Sequence, residues 1–361
     1  MDKRKRGFRG GIPLLIAEIV VLLLAIGMMY VVITMTREVN HKNIDREQIH
    51  VNEELITQEP VKDEEIKPEK EEEKKGCRNI ALFGVDARNG ELGKGTRSDT
   101  IMIASIDQDA QEIKLVSVFR DTYLNLGNDT YNKCNTAYAR GGPEQAINML
   151  NRNLDLAITD YVTIGFSGLI DAVDALGGVE MEVTESEISH LNNYQLCMAE
   201  ELQVDYSPVE QSGRQLLNGM QATAYCRIRY TKGDDFRRAE RQRAVLAAMM
   251  EKARGASVME LTELVNAVLP QVETSLNANE ILSVLGSVAG YRVTASDGFP
   301  FEGGRAGANV GSKGSCVIPM DLEENVRQLH QVFYPTEAYT PSKEVLRISD
   351  EIKEQTNEFL Q

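Results

Sequence analysis

Carboxylate and guanidinium side chains stand where short apolar runs of this sequence begin and end. Asp86 follows the first run, Arg97 and Asp99 open the second, and Arg120 and Asp121 close the third. Carboxylates are hard oxygen ligands, which suit a Mg²⁺ ion held jointly by protein and substrate phosphates. Guanidinium groups bind phosphate oxygens in a bidentate way. The pattern therefore predicts a site for a divalent metal and a pyrophosphate group.

Further basic and amide side chains follow in the second half of the chain. Arg227 and Arg229 alternate around one apolar residue, which predicts an extended segment with both guanidinium groups on one face. Arg238, Arg241 and Gln242 have the spacing of one helix face near a helix start, where anions are attracted. A single Arg–Asp pair is usually a surface salt bridge of little consequence. The recurrence of such clusters favours a binding site.

Strands that alternate with helices must position these residues. The sequence predicts strands over 79–85, 100–106, 113–119 and 161–166, a hairpin turn over 108–111, and helices over 143–153 and 169–176. This order predicts an α/β fold with a mixed central β-sheet sandwiched by helices. Loops converge at strand ends in such sheets, and ligand sites form there.

Bulk composition narrows the class of protein. The 361 residues carry a formal net charge of -16, which argues against nucleic acid as a partner. Five cysteines are widely spaced, so a zinc site is not expected. One or two disulfides are compatible with the sequence, and their pairing stays open.

The sequence of the N-terminal region predicts a membrane anchor. Residues 1–11 form a basic tail that is expected to stay in the cytoplasm, and residues 12–36 are long and apolar enough for a transmembrane helix. A cleaved signal peptide, the alternative, would have a shorter apolar stretch and a cleavage site after it. We therefore expect a single-pass protein of the cell membrane with the rest of the chain outside.

The outer part divides into three predicted segments. Residues 37–76, rich in Glu and Lys, are predicted to be a solvated stalk, and residues 77–335 the large domain that contains the predicted binding site. Residues 336–361 are predicted to be a polar, mobile tail. Residues 189–212 are expected to form an irregular insertion loop.

The motifs from residue 79 to 246, in this order and spacing, resemble the LytR-CpsA-Psr family of cell-envelope phosphotransferases. The residues that carry the resemblance are NIALFGVD (79–86), TRSDT (96–100), VFRDT (118–122), KCNTAY (133–138) with GGP (141–143), DAVDALGGV (171–179), LNGMQA (217–222), and the clusters Arg227/Arg229 and Arg238/Arg241/Gln242. Cys134 and Cys226 stand where other members more often have apolar or small residues.

The resemblance implies transfer of a glycopolymer from an undecaprenyl-pyrophosphate carrier to peptidoglycan. The polymer would be wall teichoic acid, capsule or another secondary polysaccharide. By the same resemblance Asp86 and Asp99 would hold Mg²⁺ or Mn²⁺, and Asp99, Arg120 and Asp121 would be catalytic, with Asp121 orienting the site or taking the acceptor proton. The residues expected to bind the pyrophosphate are Arg97, Arg120, Arg227, Arg229, Arg238, Arg241 and Gln242.

Two other functions remain compatible with the sequence. A hydrolase of the same lipid-linked substrate would need no further residues, since water would replace the acceptor. A non-catalytic envelope sensor or transcriptional attenuator is the third reading, although residues 1–11 are too few for a DNA-binding domain.

Overall fold

A computed structural model describes residues 40–41, 44, 49–52, 76–86, 92–229, 234–277, 280–281, 283 and 288–360. The predicted basic tail (1–11) and membrane anchor (12–36) lie outside the described residues. Within the described ranges, no helix combines the length and the apolar character that crossing a bilayer requires.

A mixed seven-stranded sheet forms the centre of the molecule. Its strands lie in the order β1-β10-β7-β2-β3-β4-β11, with β1–β10, β7–β2 and β4–β11 parallel and the other neighbours antiparallel. In chain order they are β1 (Asn40–His41), β2 (Cys77–Val85), β3 (Ser98–Asp107), β4 (Glu112–Val118), β7 (Asp160–Gly165), β10 (Val272–Thr274) and β11 (Arg292–Phe299). The predicted mixed sheet is confirmed.

Three two-stranded ribbons accompany the sheet. They are β5 (Tyr123–Asn125) with β6 (Tyr131–Lys133), β8 (Val179–Val183) with β9 (Gly213–Leu217), and β12 (Arg305–Asn309) with β13 (Ser315–Pro319). The predicted hairpin between the second and third apolar runs is confirmed, since β3 and β4 pair from Asp107 and Glu112 onward.

Helices cover both faces of the sheet. They are α1 (Asn135–Leu154), α2 (Phe166–Ala175), α3 (Glu185–Leu202), α4 (Gly219–Arg227), α5 (Asp234–Gly255), α6 (Val258–Val268), α7 (Leu322–Phe333) and α8 (Lys343–Thr356). On one face α1, α7 and α8 bury the main core against side chains such as Phe83 and Ile103. On the other face α5 packs against Met102 and Leu115. The predicted layers of helix, sheet and helix are therefore present.

The region expected to be an insertion loop begins with a helix. Helix α3 runs through Glu185–Leu202, and only residues 203–212 are irregular. Its start is fixed by a capping box, in which Thr184 and Glu187 each bond the other's backbone N–H. The expectation missed this signal because the helix is polar on most of its surface.

The C-terminal segment is not the mobile polar tail that was predicted. Helix α8 begins after Ser342, whose side chain accepts a hydrogen bond from the backbone N–H of Val345. Val345, Ile348 and Ile352 are buried in the main core. Their spacing of three and four residues places them on one helix face, so a segment that is polar on average still packs firmly.

The described residues of the predicted stalk also belong to the domain. Strand β1 pairs with β10 at the sheet edge, and Ile49 joins the main core. Asn52 is 2% exposed and donates hydrogen bonds to the carboxylate of Asp155 and to the Ser342 hydroxyl. The prediction of a solvated spacer is therefore wrong for these residues.

All five cysteines are free thiols, and Cys134, Cys226 and Cys316 among them are buried. Burial raises the pKa of Cys226 to about 12, so this thiol stays protonated at neutral pH.

Candidate functional site

A cleft opens at the sheet edge where β4 ends and β3 begins. Antiparallel pairing brings these two strand ends together, and the pairing of Val85 with Ser98 places the end of β2 beside them. Helix α5 closes the opposite side. The charged and amide side chains that line the cleft are Asp99, Arg120, Asp121, Asp235, Arg238 and Gln242. Five of these six were predicted as site residues, and the fold brings them together from three separate segments: the start of β3, the residues after β4, and α5.

Arg120 and Asp99 form the closest ion pair of the cleft, with 2.7 Å between Nη1 and Oδ1. Arg229 approaches the same carboxylate from α4's side, at 3.9 Å. Burial alone would lower the pKa of Arg120, but the charges of Asp99 and Asp235 outweigh it and the pKa is raised. Arg120 is therefore a permanent cation at the centre of the cleft.

Asp235 is the site residue to which sequence reasoning gave no role. Its carboxylate lies 3.1 Å from Arg238, 3.8 Å from Arg120 and 3.8 Å from Arg229. It thus connects three guanidinium groups that come from different elements. The spacing of Asp235 and Arg238, one helical turn apart at the start of α5, was the available signal.

Several polar atoms of this cluster are buried without a hydrogen bond. They are Arg120 Nε, Arg238 Nε, Arg238 Nη1 and Asp235 Oδ1. The contact between Arg238 and Asp235 is close enough for an ion pair but lacks hydrogen-bond geometry. Unpaired buried donors are rare in folded proteins, because each one costs free energy. These N–H groups are consequently positioned for a ligand that brings acceptor oxygens.

Arg238 is the most buried cation of the cleft, with 4% of its surface exposed. Burial and the neighbouring Arg120 lower its pKa to about 10, so it is charged at neutral pH but poorly compensated. Counting Arg120, Arg229 and Arg238 against Asp99 and Asp235, the cluster carries one excess positive charge. An anionic ligand would balance it.

Asp121 lies on the side of the cleft formed by β13. Its carboxylate is 3.3 Å from Lys133 Nζ and 3.7 Å from Arg120 Nε. Its backbone carbonyl accepts a hydrogen bond from the N–H of Val317, which lines the cleft. Asp121 is thus held between two cations at the mouth of the cleft, where it can orient both of them.

Arg227 does not share a face with Arg229. The predicted extended segment is wrong, because helix α4 continues through Arg227, starting from a capping box between Asn218 and Gln221. The guanidinium of Arg227 lies 4.3 Å from the centre of the Phe166 ring, at the end of β7. Arg227 therefore flanks the cleft on the β7 side, while Arg229 belongs to the central cluster.

Arg241 lies apart from the cleft. It forms a 2.7 Å ion pair with Glu187 of α3 and donates a 3.2 Å hydrogen bond to the carbonyl of Ile228. Both charged side chains are about one-twentieth exposed. Gln242, the next residue, does line the cleft. The three residues predicted to share one helix face therefore have different surroundings. Arg238 and Gln242 line the cleft, whereas Arg241 connects α5 to α3.

Asp86 and Arg97 mark the outer end of the site. Asp86 is half-buried just after β2, and Arg97 is exposed just before β3. The pairing of Val85 with Ser98 brings both residues to the same end of β2 and β3, near Asp99. Within the part of the chain that the structure describes, no three His, Cys, Asp or Glu side chains are grouped to hold a metal. Asp86 and Asp99 would thus fit a hard cation only together with ligand oxygens, the arrangement that Mg²⁺ favours at phosphates.

An apolar stripe leads away from the cleft along α5. Leu246 and Met250 follow Gln242 at intervals of four residues and pack against Met102 and Leu115. Leu82, in the middle of the central strand β2, is only partly buried on this face. This side of the sheet therefore keeps partly accessible apolar surface beside α5.

The chain is similar to proteins of one family in sequence and in fold. Residues 35–297 match the model of the LytR_cpsA_psr family. A polyisoprenyl-teichoic acid–peptidoglycan teichoic acid transferase, TagU of Oceanobacillus iheyensis, is 31% identical over 222 residues, covering 59% of this chain and 63% of the relative. TagV of Bacillus subtilis, of the same named activity, is 28% identical over 222 residues, covering 59% of this chain and 53% of the relative. The chain thus spans between about half and two thirds of the length of these relatives.

A solved structure shows the same fold. The LytR-CPS2A-psr family protein YwtF (TagT) with bound octaprenyl pyrophosphate lipid is 19% identical and has a TM-score of 0.55. The comparison covers 81% of this chain and 99% of that one.

Proposed function

Since the chain belongs to the LytR_cpsA_psr family, we propose that it transfers a glycopolymer from an undecaprenyl-pyrophosphate carrier to peptidoglycan. The reaction is a Mg²⁺-dependent phosphotransfer at the outer face of the cell membrane. The polymer is wall teichoic acid, capsule or another secondary polysaccharide. The names of the TagU and TagV relatives support wall teichoic acid as the first polymer to test.

The observation that carries this proposal is the cluster of arginines with unpaired N–H groups around two carboxylates. Arg120, Arg229 and Arg238 point their charge into one partly buried space. A pyrophosphate group has the oxygens and the negative charge that this space lacks. Phosphoryl transfer depends mainly on positioning and on neutralising charge, which such a cluster supplies.

The proposed reaction exchanges one P–O bond for another. An acceptor hydroxyl of peptidoglycan attacks the phosphorus that bears the sugar, and a new P–O bond forms. The bond from that phosphorus to the bridging oxygen breaks, and polyprenyl phosphate leaves with the bonding electrons. Asp121, at the mouth of the cleft, orients Arg120 and Lys133 and is the nearest candidate for receiving the hydroxyl proton.

Asp86 and Asp99 would hold the Mg²⁺ ion at the outer end of the cleft. When bound, the ion would neutralise charge on the phosphate oxygens. Arg120 keeps Asp99 oriented through its 2.7 Å hydrogen bond. Asp235 holds the three guanidinium groups at fixed separations, so they meet the ligand as one surface.

The apolar stripe along α5 would receive the prenyl chain of the substrate. Leu82, Leu246 and Met250 present partly buried apolar surface on this side of the sheet. A protein of the same fold holds octaprenyl pyrophosphate, which supports a prenyl lipid as the kind of ligand to test. The predicted anchor (12–36) would keep the domain at the membrane in which such a lipid resides.

Transfer is tested with the full-length protein in detergent micelles. The donor is a farnesyl-pyrophosphate-linked disaccharide, the acceptor is soluble uncross-linked peptidoglycan, and products are identified by mass spectrometry. We expect a phosphodiester-linked conjugate from the wild type and from Arg237→Ala, because Arg237 is exposed and pairs with Glu240 on the surface of the helix. Arg238→Ala should abolish it.

Two outcomes would contradict the transferase. Free phosphorylated disaccharide as the sole product, with peptidoglycan present, would indicate a hydrolase. No turnover of the donor under any metal condition would indicate a non-catalytic protein.

A further inference from the structure

Arg305 of the β12–β13 hairpin lies against two aromatic rings that contact each other behind the cleft. Its guanidinium carbon lies 4.1 Å from the centre of the Phe236 ring and 4.9 Å from that of Phe119. The two rings meet edge to face, with centroids 4.6 Å apart. Nη1 donates a 2.9 Å hydrogen bond to the carbonyl of Pro300. Arg305 is therefore fixed by one backbone contact and two ring faces.

Each of the two rings is the sequence neighbour of a cleft residue. Phe119 precedes Arg120 at the end of β4, and Phe236 follows Asp235 at the start of α5. Arg120 and Asp235 face each other across the cleft at 3.8 Å. Arg305 thus contacts both walls of the cleft from behind, at the positions where their charged residues emerge.

The hairpin is attached to the cleft through its second strand as well. Val317 of β13 lines the cleft, and its N–H bonds the carbonyl of Asp121. Arg305 and Val317 both lie beyond residue 297, where the match to the family model ends. The C-terminal part of the chain therefore also contributes to the wall of the cleft.

We propose that Arg305 is a positioning residue that sets the separation of Arg120 and Asp235 by clamping Phe119 and Phe236 together. The inference rests on the proposed function, because the separation matters for a pyrophosphate ligand. A cation over two aromatic faces favours one relative placement of the rings. Small displacements of phosphate-binding groups lower affinity and rate strongly.

Burial lowers the pKa of Arg305, and the carboxylates of Glu302 and Asp297 partly offset this. Neither belongs to the cleft. The guanidinium of Arg305 consequently contacts the two rings and not the ligand. Arg305 affects ligand binding only through the positions of Phe119 and Phe236.

The test uses full-length protein in detergent micelles, with farnesyl pyrophosphate and MgCl₂ titrated by calorimetry. Arg305→Met keeps the length of the side chain but removes the cation. We expect its dissociation constant for farnesyl pyrophosphate to rise about tenfold, and Arg305→Lys to stay within about threefold of the wild type. Arg292→Met is the matched control, because Arg292 is 65% exposed at the far end of β11 and pairs with Glu112.

Equal affinities for Arg305→Met and Arg292→Met would overturn the positioning role and leave the proposed function intact. Failure of the wild type to bind farnesyl pyrophosphate would overturn both. If Arg305→Met does not fold, Phe236→Leu replaces it, since this change removes one of the two ring contacts and keeps an apolar side chain. Wild-type affinity in a folded Phe236→Leu variant would likewise overturn the clamp.

Discussion

Arg120 and Asp99 share a 2.7 Å hydrogen bond across the end of the cleft, although they are expected to bind opposite charges of the ligand. The carboxylate suits a cation, and the guanidinium suits a phosphate oxygen. Their bond keeps each charge compensated and oriented. If a metal ion and a phosphate enter together, the contact between Arg120 and Asp99 is replaced by two contacts, one from Asp99 to the metal and one from Arg120 to the phosphate. Neither residue is then left without an opposite charge.

Asp99→Asn should lower metal-dependent transfer by about 100-fold, because the amide keeps the shape of the side chain but not the charge that holds the cation. Raising the MgCl₂ concentration should not restore the rate. The rate is measured by mass spectrometry of the conjugate at several MgCl₂ concentrations, with Asp350→Asn, at an exposed position of α8, as the control. An Asp99→Asn variant with wild-type metal dependence would exclude Asp99 as a metal ligand.

Arg238→Met should separate stability from binding. The buried guanidinium has two nitrogen atoms without hydrogen bonds, so its removal should leave the melting temperature no lower than that of the wild type. The affinity for farnesyl pyrophosphate should fall at least about tenfold, the scale of one charge-assisted contact. Scanning fluorimetry measures the melting temperature and calorimetry measures the affinity, both on the same preparations. A clear loss of stability with unchanged affinity would reverse the interpretation of this residue.

Arg241→Met should destabilise the domain, in contrast to Arg238→Met. It leaves Glu187 buried without its partner, which costs about 3–5 kcal/mol when a buried pair is broken. The double variant Glu187→Gln/Arg241→Met should recover much of the lost free energy of unfolding, as measured by urea denaturation. If Arg241→Met instead stays stable and loses only ligand affinity, the original prediction of a substrate contact holds.

His330 should make the domain less stable in mild acid. Burial lowers its pKa in the folded protein, with the Leu154 carbonyl and Asp155 opposing the shift. The unfolded chain therefore takes up a proton first, and stability is lost as the pH falls through about 6.5, the ordinary His value. His330→Gln should flatten the loss of melting temperature between about pH 7 and pH 5. An unchanged slope in His330→Gln would show that His330 does not cause the loss.

The cleft could be anticipated from the sequence because its residues mark strand ends. Asp86, Asp99, Arg120 and Asp121 flank runs of β-branched and apolar residues, and antiparallel pairing brings such ends to one edge. The same reasoning failed where local chemistry overrode a short pattern. Arg227 sits in a helix because the capping signals at Asn218 and Gln221 outweigh the alternation around Ile228.

Other features depended on contacts that sequence spacing does not contain. Arg241 and Gln242 are neighbours on one helix, yet a buried partner on α3 draws Arg241 away from the cleft. Asp235 gains its role only because three guanidinium groups from separate elements converge on it. Helix α8 was not predicted because its sequence is polar on average, although Val345, Ile348 and Ile352 pack into the main core.

The hydrogen bonds of Asn52 and Ser342 to Asp155 join the two ends of the described chain at one carboxylate. The two residues are 290 positions apart, yet their side chains also bond each other at 3.2 Å. Neither Asn52 nor Ser342 can move away without breaking a hydrogen bond of the other. The segments that carry these two residues are therefore expected to unfold together.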